Sequence, residues 1–254
     1  MKYFVVSDVH GFFSYMKKAL DKAGYDKDNP DHFFISCGDL FDRGEEATAC
    51  LDFVTSIPKE RRAFIEGNHE TLLMDILFSG TYHMADIHNG TLDTIFQLSH
   101  RKSVFELNES LNILSKNEKL HEYLSSLINY YEISDYVFVH GWLPKISDAY
   151  TKNWREASED EFNAATWTNG FYAWHQNQIE GKNIEDKTVV CGHWHTAYAH
   201  SRYHHIGKDL SDCAGDYTKC CFDIFQDKGI VGLDACTVLS HKVNVLVIKE
   251  GSDE

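Results

Sequence analysis

The sequence has 254 residues, of which 43% are hydrophobic and 25% are charged, so it can bury a substantial core without help from disulfides. Its formal net charge of −15 repels nucleic-acid backbones and anionic lipid surfaces, and no stripe of Lys and Arg interleaved with aromatic residues opposes that charge. No apolar run approaches the roughly 18 to 20 residues that a membrane-spanning helix needs. We therefore expect a soluble protein without a nucleic-acid or membrane partner.

The cysteines and the first residues bear on location. Seven cysteines are an odd number, and none forms the paired, two-residue-spaced clusters typical of a structural zinc site. The chain runs from Met1 and Lys2 directly into a strand-like run at residues 3–6, which has no room for the three parts of a secretion signal. We expect reduced thiols and a cytoplasmic location.

Short runs rich in β-branched and aromatic residues alternate with helical patterns, which favours an α/β layered fold. The predicted strands are residues 2–7, 32–37, 62–66, 136–139 and 187–191. The stretch of about 72–131 predicts a mostly helical insertion that caps the domain, with a break at Asn89 and Gly90.

The sequence pattern changes near Cys220, after which strand-like runs are separated only by short turns. The runs at residues 221–225, 230–233 and 243–249 predict additional antiparallel strands. No repeat, low-complexity tract or Pro/Gly-rich linker marks a boundary. We expect a single domain over residues 1–254.

The residues that follow the predicted strands are the informative feature. Strand one leads into Asp8 and His10, whose alternate spacing in extended chain places a carboxylate and an imidazole on one side, able to hold one cation. Asp39 follows the second strand and offers another carboxylate ligand. Arg43, four residues later, offers a planar fork suited to phosphate oxygens.

The next three predicted strands are also followed by residues that can bind a metal ion. Asn68 and His69 follow the third strand, His140 follows the fourth, and His193 and His195 follow the fifth. Taken singly, each residue has an ordinary explanation, as a turn former, a helix cap or a hydrogen-bonded edge residue. Five successive strand ends of this kind make coincidence remote, because ligands of open α/β sheets bind where the carboxyl ends of the strands converge.

These motifs resemble the calcineurin-like metallophosphoesterases, and within them the phosphoprotein-phosphatase branch with its bacterial and phage Ser/Thr protein phosphatases and symmetrical dinucleoside tetraphosphatases. The resemblance covers most of the chain and implies a layered β-sandwich core flanked by helices. It rests on D-x-H at Asp8 and His10, G-D-x-x-D-R-G at 38–44, G-N-H-E at 67–70, His140, G-H at 192–193, and the penultimate-strand segment 232–236.

The resemblance implies two divalent metal ions, with Mn²⁺ as the first choice and Fe or Zn as alternatives. Two such ions would share a hydroxide that attacks phosphorus directly. By this reading Asp39 bridges the ions. The expected ligands are Asp8, His10 and Asp39 for one ion, and Asp39, Asn68, His140 and His193 for the other.

The same resemblance assigns the catalytic residues. His69 is expected to be the general acid that protonates the leaving oxygen, and Asp42 to hydrogen-bond its other ring nitrogen. Arg43 is expected to bind two phosphate oxygens. His195 follows His193 at the spacing of the G-H-x-H of the wider superfamily, so it is a further candidate ligand.

The chain departs from the family pattern after Trp167, where many bacterial members have a second phosphate-binding Arg and this chain has Thr168 and Asn169. Arg155 and Arg202 are the candidates to replace it. Cysteines 213, 220 and 221 lie near His204 and His205, but they lack regular ligand spacing and are interpreted as loop and strand residues rather than a metal site.

The predicted function is hydrolysis of phosphate esters, in the first place as a Ser/Thr protein phosphatase acting on phosphorylated proteins or peptides. The alternative with the same machinery is a symmetrical dinucleoside tetraphosphatase or another hydrolase of small phosphate esters. A nuclease is disfavoured by the acidic charge. A silent phosphate-binding module is disfavoured because every expected ligand and acid position is filled.

Overall fold

The computed structural model describes residues 1–250 and contains two five-stranded sheets. The first sheet has the order β10-β1-β2-β3-β4, and the second has the order β5-β6-β7-β9-β8. The strands are β1 Lys2–Val6, β2 His32–Ser36, β3 Arg62–Ile65, β4 Leu127–Ile128, β5 Tyr131–Ile133, β6 Tyr136–Phe138, β7 Thr188–Cys191, β8 Phe225–Asp227, β9 Ile230–Gly232 and β10 Leu246–Lys249.

Each sheet has a parallel centre. In the first sheet β1, β2, β3 and β4 run parallel, and β10 pairs with β1 in the antiparallel sense. In the second sheet β6, β7 and β9 run parallel between the antiparallel edge strands β5 and β8. The carboxyl ends of these seven parallel strands are therefore available to carry functional residues.

The alternation of side chains explains why both faces of the first sheet are apolar. Along β1, Tyr3 and Val5 belong to the core between the two sheets, whereas Phe4 and Val6 belong to the core between the first sheet and its helices. The outer face of the second sheet packs on a third core that contains Trp154. The result is a β-sandwich with helices on both outer faces, as the sequence predicts.

Within residues 1–250 the structure has eleven α-helices. They are α1 Phe13–Ala23, α2 Ala47–Ser56, α3 Asn68–Ser79, α4 Met84–Asn89, α5 Thr91–Ser99, α6 Leu107–Leu114, α7 Glu118–Ser125, α8 Glu159–Thr166, α9 Gly170–Ile179, α10 Thr196–Ala199 and α11 Thr237–Ser240. Helices α3 to α7 form the predicted helical cap. The break expected there is present, because α4 ends at Asn89 and Gly90 adopts a φ of +88°.

The insertion is mostly helical, as predicted, and β4 and β5 occupy only its last residues. Two other details of the predicted elements are wrong. The strand predicted at 221–225 begins only at Phe225, and the one predicted at 243–249 begins only at Leu246. The C-terminal strands are not all antiparallel, since β9 pairs in parallel with β7.

The reduced state of the thiols stays a prediction. The sulfur atoms of Cys213 and Cys220 lie in contact with each other across a sequence separation of 7 residues. Both lie in the irregular segment between α10 and β8, which contains short helical turns and no strand, so the hydrophobic pattern carries no signal for their proximity. Cys221 is not part of this pair. Within the described residues, no helix is both long and apolar enough to cross a membrane.

Candidate metal centre

The carboxyl ends of the two sheets meet at one edge of the sandwich. The backbone N–H of His193, after β7, donates to both carboxylate oxygens of Asp8, after β1, at 3.1 and 3.0 Å. Asp8 N–H donates to the Gly38 carbonyl at 3.1 Å, and Gly192 N–H donates to the His140 carbonyl at 2.8 Å. Residues that are far apart in the sequence are thus fixed around one buried point.

Asp39 lies at the centre of this cluster of residues and is 2% exposed. Its Oδ1 accepts the backbone N–H of His69 in the first turn of α3, at 3.0 Å. Its Oδ2 lies 3.4 Å from His140 Nε2 and 3.7 Å from His10 Nε2. One carboxylate is therefore shared by two groups of potential ligands, which are His10, Asp39 and His69, and Asp39, His140 and His193.

Two of the histidines have a defined orientation. His10 Nδ1 lies 3.0 Å from the Phe41 carbonyl, and His140 Nδ1 lies 2.7 Å from the Cys37 carbonyl. Because a carbonyl oxygen only accepts, each Nδ1 must carry the proton, which leaves Nε2 directed toward Asp39. A backbone carbonyl that fixes the tautomer in this way is typical of histidines that bind metals.

Asn68 does not cap its helix with its side chain. Its Oδ1 lies 2.9 Å from His140 Nε2. Two atoms bound to one ion at about 2.1 Å and at right angles are about 3 Å apart. Asn68 and His140 therefore have the separation expected of neighbouring ligands on one cation.

The site holds an excess of buried negative charge. Asp8 is 1% exposed and Asp234, which follows β9, is 7% exposed. Burial, followed by the charge of Asp234, raises the pKa of Asp8 well above its usual value. Burial also raises the pKa of Asp234, although Arg43 opposes this shift. Buried carboxylates without a matching cation are costly, so this donor set of oxygen and nitrogen atoms fits divalent cations.

The histidine pKa values follow from Asp39. Burial lowers the pKa of His140, but the charge of Asp39 outweighs burial and raises it to about 10. Burial and the nearby His140 lower the pKa of His193 to about 4. A metal ligand must be the neutral imidazole, so metal binding at His140 would release a proton.

His69 sits beside the two ligand groups in a polar network of its own. Its Nδ1 lies 2.7 Å from Asp42 Oδ2, and its Nε2 lies 3.2 Å from a guanidinium nitrogen of Arg43. Asp42 is fully buried and accepts hydroxyl hydrogen bonds of 2.7 Å from Thr91 and Thr94, both in α5. Burial lowers the pKa of His69, but Asp39 and Asp42 outweigh burial and raise it overall.

The backbone of the site is held in an uncommon conformation. Six of the thirteen non-glycine residues with positive φ in the described chain are Asp8, His10, Asp39, Asp42, Arg43 and His193. Such conformations persist only where the surrounding structure enforces them, and they concentrate at functional sites. Gly38 has a φ of +87°, and a Cβ atom there would lie 2.6 Å from His140 Nδ1.

The sequence interpretation missed two residues. Glu70, the last letter of G-N-H-E, is fully buried and accepts backbone N–H groups of Asp39, Leu40 and Gly67 at 2.8, 2.9 and 3.0 Å. The Tyr123 hydroxyl also donates to it, at 3.0 Å. Asp234 is the second, and the signal that reveals the other residues, an acidic residue directly after a strand, would have found it.

Three candidates lie elsewhere. Among the described residues, His195 belongs to neither ligand group. Its Nδ1 accepts the Tyr198 N–H at 3.1 Å, and its role as a metal ligand stays a prediction. Arg155 is not a phosphate contact here, since its guanidinium binds Glu132 and Glu185 at 2.6 and 2.8 Å. Arg202 lies over the Tyr198 ring, 5.6 Å from its centroid.

The metal ligands of the first group also differ in one respect from the expectation. The geometry groups His69 with His10 and Asp39, whereas Asp8 lies outside both groups. Asp8 is occupied by the His193 N–H and by the Ser7 hydroxyl, the latter at 2.5 Å.

Comparison with known proteins identifies the family of the chain. Residues 1–232 match the profile of the calcineurin-like phosphoesterases. The chain belongs to this family. The fold agrees as well, because a cold-active protein-tyrosine phosphatase from a psychrophilic Shewanella species aligns with a TM-score of 0.57 and 17% identity, over 98% of this chain and 75% of that one.

Curated relatives match over shorter stretches. A symmetrical bis(5'-nucleosyl)-tetraphosphatase of Haemophilus ducreyi is 35% identical over 77 residues, which cover 30% of this chain and 27% of that protein. Serine/threonine-protein phosphatase 1 of Salmonella typhimurium is 34% identical over 71 residues, which cover 28% of this chain and 31% of that protein. The chain thus spans about a third or less of the length of these two relatives.

Proposed function

We propose that this protein is a metal-dependent phosphatase that hydrolyses phosphate esters at the Asp39 site. The observation that carries the proposal is the position of Asp39 Oδ2, 3.4 Å from His140 Nε2 and 3.7 Å from His10 Nε2, with the His69–Asp42 pair beside it. A single carboxylate shared by two ligand groups suits a pair of divalent ions.

The proposed ligands are those expected from the sequence. His10, Asp39 and Asp8 hold one ion, and Asp39, Asn68, His140 and His193 hold the other. His195 remains an additional candidate. When bound, the ions supply positive charge for the phosphate and lower the pKa of a water molecule so that it can attack. Mn²⁺ is the first metal to test, because Asp, Asn and His donors accept Mn, Fe or Zn.

The remaining chemistry belongs to side chains of the chain itself. His69 donates a proton from Nε2 to the leaving oxygen, while its Nδ1–H stays bonded to Asp42. Asp42 favours the imidazolium form through its negative charge. Arg43 can donate to Nε2 only when that nitrogen carries no proton, so we propose that the substrate phosphate binds Arg43 and frees His69 to act as the acid.

The first experiment separates an acid from a ligand. We expect His69→Asn to lower turnover of an alkyl phosphate by about 10²- to 10⁴-fold while the bound metal per chain stays unchanged. The loss should be smaller for p-nitrophenyl phosphate, because p-nitrophenol leaves without needing a proton. If His69→Asn loses bound metal in proportion to activity, His69 is a ligand and the acid role is wrong.

Two substrate classes are compatible with the relatives. A Ser/Thr protein phosphatase is the first prediction from the sequence. The exposed side chains of Trp167 and Trp194 next to His193 favour the alternative, a dinucleoside polyphosphate, since its bases are flat rings that can stack on them, whereas the phosphoserine residue itself has no ring. We propose a test with Mn²⁺ on a phosphoserine peptide, diadenosine tetraphosphate and p-nitrophenyl phosphate. The proposed function would be contradicted if, with metal bound, neither the phosphoserine peptide nor p-nitrophenyl phosphate released phosphate and diadenosine tetraphosphate gave no ADP.

A cytoplasmic location and a single domain over residues 1–254 also stay predictions. Fractionation of the cells that make the protein would test the first. Limited proteolysis would test the second, because a single domain should lose its core strands in one step rather than release a stable fragment.

A further inference from the structure

Helix α5 of the helical cap lies against the loop of residues 42–47, which leads from the second strand into α2. Positions 91, 94 and 97 of the helix are three residues apart, so their side chains share one face. Thr91 and Thr94 bond to Asp42, and the Gln97 side chain bonds to two backbone groups further along the loop, both at 2.9 Å. One polar face of a cap helix therefore holds this loop.

This face holds both oxygens of the Asp42 carboxylate. Thr91 and Thr94 are fully buried, and their hydroxyls donate to Oδ2 and Oδ1 of Asp42, each at 2.7 Å. The ring of His69 is bound to the same carboxylate, with Nδ1 at 2.7 Å from Oδ2. The carboxylate cannot turn without breaking at least one of these hydrogen bonds.

The backbone of Asp42 is held as well. Its φ of +73° lies in the left-handed region, which a non-glycine residue adopts only where its surroundings enforce it. The Thr94 hydroxyl accepts the Asp42 backbone N–H at 3.0 Å, in addition to its bond to the side chain. Gly90, the residue before α5, packs so closely that a Cβ atom there would meet the backbone of Arg43. The start of the helix and the loop are thus in direct contact.

The other side of α5 is anchored in the protein core. Leu92, Ile95 and Phe96 belong to the apolar core between the first sheet and its helices. A threonine in a helix commonly bonds to the carbonyl one turn back, but here both hydroxyls are directed to Asp42. A helix fixed by its apolar face can therefore hold the carboxylate at a defined position.

We infer that Thr91 and Thr94 are positioning residues, which fix Asp42 and through it the ring of His69 so that Nε2 can reach the leaving oxygen. This inference rests on the proposed phosphatase function and on the acid role of His69. A general acid must lie within hydrogen-bond reach of the leaving oxygen, and a misplacement by about 1 Å can cost about 100-fold in rate. The cap then takes part in proton donation and is more than a cover.

Replacement of both threonines by valine tests the inference, because valine keeps the shape of the side chains and removes both hydroxyls. With Mn²⁺ bound, we expect the double valine variant to lower kcat about 10- to 100-fold for the phosphoserine peptide, an alkyl phosphate. For p-nitrophenyl phosphate the fall should be under 3-fold or so, because p-nitrophenol leaves without needing a proton. Elemental analysis should find the bound metal per chain unchanged.

Serine at both positions keeps the hydroxyls and removes the methyl groups. It should restore most of the turnover of the phosphoserine peptide, whereas a purely structural role of the buried methyl groups predicts that serine is more harmful than valine. Thr48→Val is the matched control, because the Thr48 hydroxyl contacts the Gln97 carbonyl of α5 and not Asp42. This control should leave both rates unchanged.

The hydrogen bond of His69 can also be measured without turnover. In the chain loaded with Zn²⁺, which is diamagnetic, the NMR signal of the His69 Nδ1–H is assigned by its absence in His69→Asn. We expect this proton to exchange with water about 10-fold faster in the double valine variant, because Asp42 no longer holds it in one place. The double serine variant should exchange it at nearly the wild-type rate.

Three results would overturn the inference. They are equal losses of kcat for the two esters, a loss of bound metal in the double valine variant, and an unchanged exchange rate of the His69 Nδ1–H. Each is distinct from a failure of the proposed function, in which the wild-type chain with metal bound turns over no substrate at all. In that case the exchange rate alone decides whether the threonines position His69.

Discussion

Glu70 offers a sharp prediction about how the site is held. A glutamine there has one acceptor oxygen where the carboxylate has two, so its amide group must face either the Leu40 N–H or the N–H groups of Asp39 and Gly67. The orientation that keeps the hydrogen bonds to Asp39 and Gly67 leaves the Leu40 N–H without an acceptor, which lowers the free energy of unfolding by about 1–3 kcal/mol. The Tyr123 hydroxyl, which donates to the carboxylate, can instead accept a hydrogen bond from the new amide group.

The remaining hydrogen bonds also weaken, because they lose the charge of the carboxylate. Two such bonds cost about 1 kcal/mol each. Against this, burial and then the negative charge of Asp39 raise the pKa of Glu70, so a neutral side chain relieves both a desolvation cost and some repulsion, about 1 kcal/mol together. The sum for Glu70→Gln is a loss of about 2–4 kcal/mol in the free energy of unfolding.

Urea unfolding of the metal-free protein, followed by tryptophan fluorescence, measures this loss. Glu66→Gln is the matched control from the same loop, since its carboxylate accepts one hydrogen bond, from the Thr71 hydroxyl at 2.8 Å, which an amide oxygen can also accept. We expect the control to change stability by under about 0.5 kcal/mol. If Glu70→Gln is equally mild, Glu70 does not organise the loops around Asp39.

Other predictions follow from the same contacts. Gly38→Ala should abolish metal binding, because the new Cβ atom would lie 2.6 Å from His140 Nδ1. Gly24 has a similar φ of +80° but lies in open space, so Gly24→Ala should cost only about 1–2 kcal/mol of stability. Elemental analysis measures the bound metal of the two variants, and thermal unfolding measures their stability. Arg62→Ala removes hydrogen bonds to two buried carbonyls at 2.9 and 2.8 Å and should lower the free energy of unfolding by about 3 kcal/mol or more without changing kcat. The Glu122 side chain, which pairs with Arg62, is 33% exposed, so Glu122→Gln should lower the free energy of unfolding by about 1 kcal/mol at most. Mn²⁺ at about 1,000 times its dissociation constant should raise the free energy of unfolding by about 4 kcal/mol, and no shift in Tm would contradict a folded-state metal site.

The sequence predicts most of the site because strand ends are visible in it. Asp39, His140 and His193 each follow an apolar strand by two or three residues, and the parallel centre of each sheet then brings them together. The prediction needs only residue types and strand positions. Asp234 satisfies the same rule, so its omission was an error of interpretation rather than a limit of the sequence.

Other contacts could not be predicted in this way. Thr91 and Thr94 are about 50 positions from Asp42 in the sequence. Their hydroxyls reach its carboxylate only because helix α5 packs beside it in the folded protein. Strand β5 has three residues, too few for a period of two to stand out beside a helical stretch. The pairing of Cys213 with Cys220 lies in irregular chain, where no periodicity exists.

The central claim is that Asp39 is shared by two metal ions, and anomalous diffraction from crystals of the full chain grown with Mn²⁺ tests it most directly. The account predicts two anomalous peaks that both contact the Asp39 carboxylate, one next to His10 and the other next to His140. A single peak, or peaks that do not share Asp39, would contradict it.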